Sequence, residues 1–192
     1  MASEPRKLTP ASKVGVGAGI GALIAAAVTL ALPGTRAAEG TVYHAYQDSG
    51  SVWTICSGHT RGVRPGMTAT KAQCDAWLKA DLTEATSEAV AITPELLSGP
   101  VSLRGQAGDF ILNGGAGHWR GSPMAREAAA HRWRAACEAF RGYIVLFRPR
   151  GAVPKRYACK RSTKGVVYCA APGLVNRREK ERRDCLAGVA GA

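Results

Sequence analysis

"EGTVYHAYQDSGSVWT", residues 39–54, carries a glutamate at one end, an aspartate nine positions on, and a threonine six positions beyond that, beside a tryptophan. Val42, Tyr43, Tyr46, Val52 and Trp53 flank the turn-forming DSGS. Followed on to residue 68, the stretch reads as a short antiparallel meander. The chain has 26 Lys/Arg against 14 Asp/Glu, a net charge of +12. Acids set inside an aromatic, strand-forming segment of so basic a chain call for a chemical explanation.

A chain of 192 residues suits one domain of ordinary size with an appendage and leaves little room for two full domains. The charge is unevenly placed, with 9 basic and 9 acidic residues in 1–117 but 17 and 5 in 118–192. Such a surface attracts nucleic acid, anionic lipid or an acidic envelope polymer, or simply keeps the chain soluble; composition does not choose among these.

Just upstream, Arg6, Lys7 and Lys13 precede 19 uncharged residues, Val14 to Leu32. As a helix that run spans about 28 Å, close to the width of a bilayer core. A cleaved signal peptide, a permanent anchor and a weak signal anchor all fit. Cleavage after Ala38 would put Arg36 at the minus-three position, which disfavours the first. Ten of the 19 residues are Gly or Ala, so insertion is marginal. Basic residues on the N-terminal side keep that end in the cytoplasm and send the chain beyond Leu32 across the membrane.

All six cysteines, Cys56, Cys74, Cys137, Cys159, Cys169 and Cys185, lie beyond this run. An even count in an exported domain favours disulfides, whereas zinc is disfavoured by the lack of any Cys-x-x-Cys. Six cysteines allow 15 connectivities. The expected set is Cys56–Cys74, tying the strands to the next helix, Cys137–Cys185, joining two helices, and Cys159–Cys169, closing a segment on itself.

Elsewhere the pattern is helical. Thr70 and Gln73 form a capping box ahead of apolar positions 74, 77, 78, 82 and 85. A shorter helix comes after Pro94, another ends near Asn113, one runs from Pro123 to Tyr143, and the last starts with Asn176 as its cap. Gly105 and Gly108 weaken the helix before Asn113 by about 1 kcal/mol each. Residues 149–173, rich in Pro, Gly and basic residues, read as a loop or hairpin excursion.

Glu39, eight residues, Asp48, five residues and Thr54 resemble the catalytic signature of the phage-type lysozymes, the endolysins of glycoside hydrolase family 24. WTICSGHT is similar to the segment after the family's triad. FILNGGAG, residues 110–117, resembles its Phe-x-x-Asn-x-Gly-x-Gly helix end. GLVNRREKERRDCL, residues 173–186, resembles its arginine- and glutamate-bearing terminal helix. Four such pieces in order, over residues 33–188, are specific where any one would be weak.

The resemblance implies an α+β fold, mainly helical and lysozyme-like, with a small antiparallel sheet behind an N-terminal signal-anchor helix of the signal-anchor-release kind. Residues 1–33 would be cytoplasmic tip and anchor, and 34–192 the catalytic domain with its basic insertion at 149–173. The implied activity is hydrolysis of the β-1,4 bonds between N-acetylmuramic acid and N-acetylglucosamine. Peptidoglycan is then the partner, with the inner membrane engaged through residues 14–32 before release to the periplasm. No cofactor, metal or nucleic acid is expected, and the chain is expected to be a monomer.

Glycosidic hydrolysis needs one carboxylic acid to protonate the leaving oxygen and a second polar site to place water. Glu39, next to apolar sequence, suits the acid, because burial keeps a carboxyl protonated. Asp48, in a polar turn, suits the ionised partner, and the Thr54 hydroxyl can hold a water, which the resemblance implies is for an inverting reaction. Taken singly, these three are also an ordinary helix end, turn former and strand residue. His59 and Asn113 are the candidate substrate contacts, though His59 also suits a structural bond to a carboxylate. The competing reading from another class is a membrane-tethered basic protein that binds envelope polymers or nucleic acid without chemistry.

Overall fold

The computed structural model describes residues 18–48, 51–143, 158–163, 165–170 and 172–189. Residues 14–17 of the apolar run and 149–157 of the insertion lie outside these. The rest of the apolar run forms one helix, α1 (Ala18–Glu39), continuous through Pro33 and therefore through the boundary expected at residue 33. Ile24, Val28, Ala31 and Thr35, spaced three or four apart, are buried together with Ala27, while Leu23 and Leu30 on other faces are 40% and 55% exposed. As far as Gly34 the helix bears no charged residue on any face, yet the bundle covers a single stripe. Among the described residues it is the one helix long and apolar enough to cross a membrane.

A hairpin comes directly after it. Strand β1 (Val42–Gln47) pairs antiparallel with β2 (Trp53–Cys56), Val42 opposite Cys56 and Tyr46 opposite Thr54, with a register shift between. Bridges from His44 to Thr68 and from Ile55 to His59 extend it into the expected small meander. Helix α2 (Lys71–Ile92) starts at the Thr70 capping box, with both reciprocal bonds made. Its first turns pack Cys74 and Trp77 under the hairpin, beside Ile55 and Cys56. Its later turns place Leu82, Ala85 and Ala89 in the helical core. This helix thus joins two lobes, and a cleft lies between them.

After a 3-10 turn at Pro94–Leu97, α3 (Val101–Gly114) runs through the centre of the bundle with every residue from Ser102 to Ile111 buried. The two glycines that weaken it as an isolated helix have a packing purpose. A Cβ on Gly105 would stand 2.7 Å from the Ala27 carbonyl oxygen, and one on Gly108 would collide with Thr86 Oγ1. Without side chains there, α1 and α2 approach α3 closely.

Helices α4 (Ala116–Arg120), α5 (Pro123–Ala129) and α6 (Trp133–Glu138), with a 3-10 turn at Ala139–Gly142, complete the middle of the chain. The single helix expected from Pro123 to Tyr143 is thus broken. His131 takes φ +55°, and the Arg132 N–H reaches back to the Glu127 carbonyl, which closes α5 as a left-handed cap although no glycine marks the place. Within the insertion, β3 (Ala158–Arg161) and β4 (Val167–Ala170) form a hairpin. The last helix, α7 (Pro172–Val189), begins ahead of Asn176, at a proline whose fixed φ suits a first turn.

Disulfides join Cys56 to Cys74, Cys137 to Cys185 and Cys159 to Cys169. The first ties β2 to α2, the second α6 to α7, and the third β3 to β4. The architecture is mainly helical α+β with a small antiparallel sheet and an N-terminal apolar helix.

Candidate active site

Glu39 is the last residue of α1, and Gly40 at φ +66° turns the chain out of the helix into β1. The Ser57 hydroxyl, just past β2, donates to the Gly40 carbonyl at 2.7 Å and lies 3.3 Å from the Thr41 hydroxyl, so the hairpin grips that turn. A carboxylate at a helix C-terminus faces the negative end of the helix dipole. Arg177 of α7 offsets this by donating from Nη1 to Glu39 Oε1 at 2.5 Å.

The same guanidinium donates to Asp109 of α3 at 3.0 Å and to Glu181 at 3.3 Å. One buried arginine therefore ties three helices together. Burial, the largest single effect on it, works against its charge, but Asp109 and Glu39 outweigh that and raise its pKa. Glu181 is 2% exposed. Burial foremost pushes its pKa up to about 8, and Asp109 adds to the rise against the pull of Arg178 and Arg177. Arg178 donates to Glu181 at 2.5 Å and to Asn113 Oδ1 at 2.7 Å, with its guanidinium 4.3 Å from the centre of the Phe110 ring. Its pKa is lowered, by burial first.

The inter-lobe cleft encloses about 180 Å³, and Glu39, His59 and Asn113 line it together. Ser57, Arg61, Asp81 and Glu84 also border it. The His59 ring is parallel to Trp77, 4.9 Å away. Its Nδ1 lies 2.7 Å from Asp81 Oδ2 and its Nε2 3.1 Å from the Arg61 carbonyl, so both nitrogens are engaged within the protein. A second hollow, of about 490 Å³, opens between Ala37, Ala38, Gly173 and Asn176, also against Glu39. Glu39 thus stands where two hollows meet.

Asp48 and Thr54 stand apart from that lining, in the hairpin. Asp48 Oδ1 accepts from the Val52 N–H at 2.9 Å, shaping the turn, and the buried Thr54 hydroxyl donates to the Val52 carbonyl at 3.0 Å. Glu39 was expected in apolar surroundings, but the structure sets it in an ion-pair network, because α7 folds back across the end of α1. Arg177, Asp109, Glu181, Arg61 and Glu84 went unassigned in the sequence. The paired arginines of the terminal segment were the available signal, but nothing local says which is buried. Among the described residues no group of three His, Cys, Asp or Glu is placed to hold a metal ion.

Residues 36–181 match the phage lysozyme family. An SAR-endolysin of Enterobacteria phage PA-2 is 33% identical over 186 residues, 94% of this chain and 99% of its own. Among solved structures, the active form of the P1 phage endolysin Lyz superimposes with a TM-score of 0.64 at 22% identity, covering 88% of this chain and 94% of that one. The muramidase domain of SpmX from Asticaccaulis excentricus gives 0.62 at 23%, covering 84% and 95%. At those identities the two structures speak for the fold alone.

Proposed function

Since the chain belongs to the phage lysozyme family and is a peptidoglycan-hydrolysing endolysin, we propose that it cuts the β-1,4 bond between N-acetylmuramic acid and N-acetylglucosamine with Glu39 as the general acid. The observation that carries this reading is the position of Glu39 at the cleft between the lobes, held through Oε1 by Arg177. With one carboxyl oxygen fixed, Oε2 carries the proton to the leaving oxygen. By their spacing from Glu39, Asp48 and the Thr54 hydroxyl, which stand in the hairpin beside the cleft, are assigned to the attacking water of an inverting reaction. His59 and Asn113 shape the saccharide side of the cleft. The family match and the SAR-endolysin relative favour hydrolysis over the reading as a binder without chemistry.

Where the enzyme acts depends on α1. We place residues 1–33 as cytoplasmic tip and anchor, holding the catalytic domain, residues 34–192, on the periplasmic face of the inner membrane until release. Helix α1 cannot lie in a bilayer and fill the bundle at once, because Ile24, Val28 and Ala31 are core residues. The tethered chain therefore lacks a helix of its fold, and the released chain regains it.

The test is a digest of purified peptidoglycan sacculi with borohydride reduction of the products. New muramitol ends are expected, and Glu39→Gln, folded as wild type, should release them at least about a hundredfold more slowly. Glucosaminitol ends, or new amino groups without new reducing ends, would contradict the proposed bond. A well-folded Glu39→Gln enzyme of full activity would contradict the acid.

A further inference from the structure

Arg61 sits in the loop after β2, two residues beyond His59, and its side chain is 61% exposed. Its backbone is held, since its carbonyl meets His59 Nε2 at 3.1 Å. Its guanidinium is bound through Nη2 to Glu84 of α2, which is itself 31% exposed. The other charged groups bordering the cleft are carboxylates: Glu39, Asp81 and Glu84. Among the described residues Arg61 is the one lysine or arginine there. Arg177 offsets Glu39 from behind the lining and His59 meets Asp81, so among the lining residues described Arg61 is the cation that can meet an acidic polymer directly.

We propose that Arg61 is a subsite for a free carboxylate on the stem peptides of peptidoglycan, and that Glu84 holds the guanidinium in place while the cleft is empty. The inference rests on the reading of this cleft as the peptidoglycan site. A solvated ion pair is worth little, so exchanging Glu84 for a substrate carboxylate costs little. The planar fork of arginine matches a carboxylate through two parallel bonds, and the single bond to Glu84 leaves other N–H groups to make them. Carboxylates of the substrate come from two sources, the stem peptides or the lactyl group of muramic acid. The lactyl carboxyl is tied up as an amide wherever a stem is attached, so in intact sacculi the stem supplies the charge.

The test uses the full chain and three substrates. These are intact sacculi, sacculi whose carboxylates have been converted to amides with a carbodiimide and ammonium, and glycan strands stripped of stems by an amidase, whose remaining carboxylate is lactyl. Arg61→Gln should lower the ratio of kcat/KM on intact over amidated sacculi about five- to tenfold, through KM. Glu84→Gln, which frees the arginine, should hold or raise that ratio. The opposite direction of the two variants is the signature, because a merely structural pair would lose equally from either side. Equal losses for both variants on intact and amidated sacculi would overturn the subsite. A loss for Arg61→Gln on stripped strands as large as on intact sacculi would assign the carboxylate to the lactyl group and overturn the stem. Wild-type inactivity on all three substrates would overturn the peptidoglycan reading itself, an outcome distinct from either.

Discussion

At the scale of single residues the site depends on Arg177, which links Glu39, Asp109 and Glu181. Removing one partner from such a buried network leaves charge without compensation, so its integrity is a matter of stability as well as geometry. Glu181 makes that measurable. Its pKa stands near 8 in the fold against 4.5 as an ordinary glutamate. The folded chain therefore holds this proton more tightly than the unfolded chain does. The stability it contributes is fully present below about 4.5 and is lost as pH rises through about 8. The denaturation midpoint of wild type should fall across that window relative to Glu181→Gln, which has no such proton to lose. Parallel midpoints for the two proteins across the window from about 4.5 to about 8 would contradict the assignment. Glu39, His59 and Asn113, which line the cleft together, stand out in the sequence because each lies in a short motif. Arg177 was not, because its contact with Glu39 spans 138 positions and its helix carries several similar cations.

Among the elements, α1 and α3 show how packing overrides local preference. Gly105 looks like a fault in a helix until the Ala27 carbonyl is placed over it, 2.7 Å from where a Cβ would be, with the Ala31 Cβ 3.1 Å away. Because the nearest contact is backbone, a methyl group there has to push α1 outward. Gly105→Ala should cost about 1–3 kcal/mol despite its better helix propensity, and lytic activity should fall with it as the Glu39 helix is displaced. Thermal unfolding and turbidity assays on this variant check both; a variant more stable than wild type would show that α1 does not dock there. Helix α2 was readable to its first residue, since Thr70 and Gln73 announce a cap by type and spacing. The break after α5 was not, since a left-handed residue at His131 carries no sequence mark, and neither was the start of α7 at Pro172. The hairpin was readable from alternation and turn residues, though not its register shift between Val42 and Tyr46.

For the molecule as a whole, the central claim is that one helix serves in turn as anchor and as the catalytic helix, and that the enzyme works only in the second state. The Gly- and Ala-rich composition makes both states accessible, with weak insertion in lipid and close approach in the bundle. No cysteine precedes Cys56 in this sequence, so the switch we propose is the departure of α1 from the bilayer and not thiol exchange with the anchor. Gly19 and Gly21 allow a direct test, because a Cβ at either position meets nothing within 4 Å in the bundle. Leucine there leaves the folded state its room while favouring lipid by a few tenths of a kcal/mol or more per residue. The decisive measurement is the lytic activity of membrane and soluble fractions from cells expressing the Gly19→Leu, Gly21→Leu chain. The account predicts protein held in the membrane fraction with little lysis until it is released, and full specific activity in whatever reaches the soluble fraction. Full lytic activity from a chain found wholly in the membrane would contradict it.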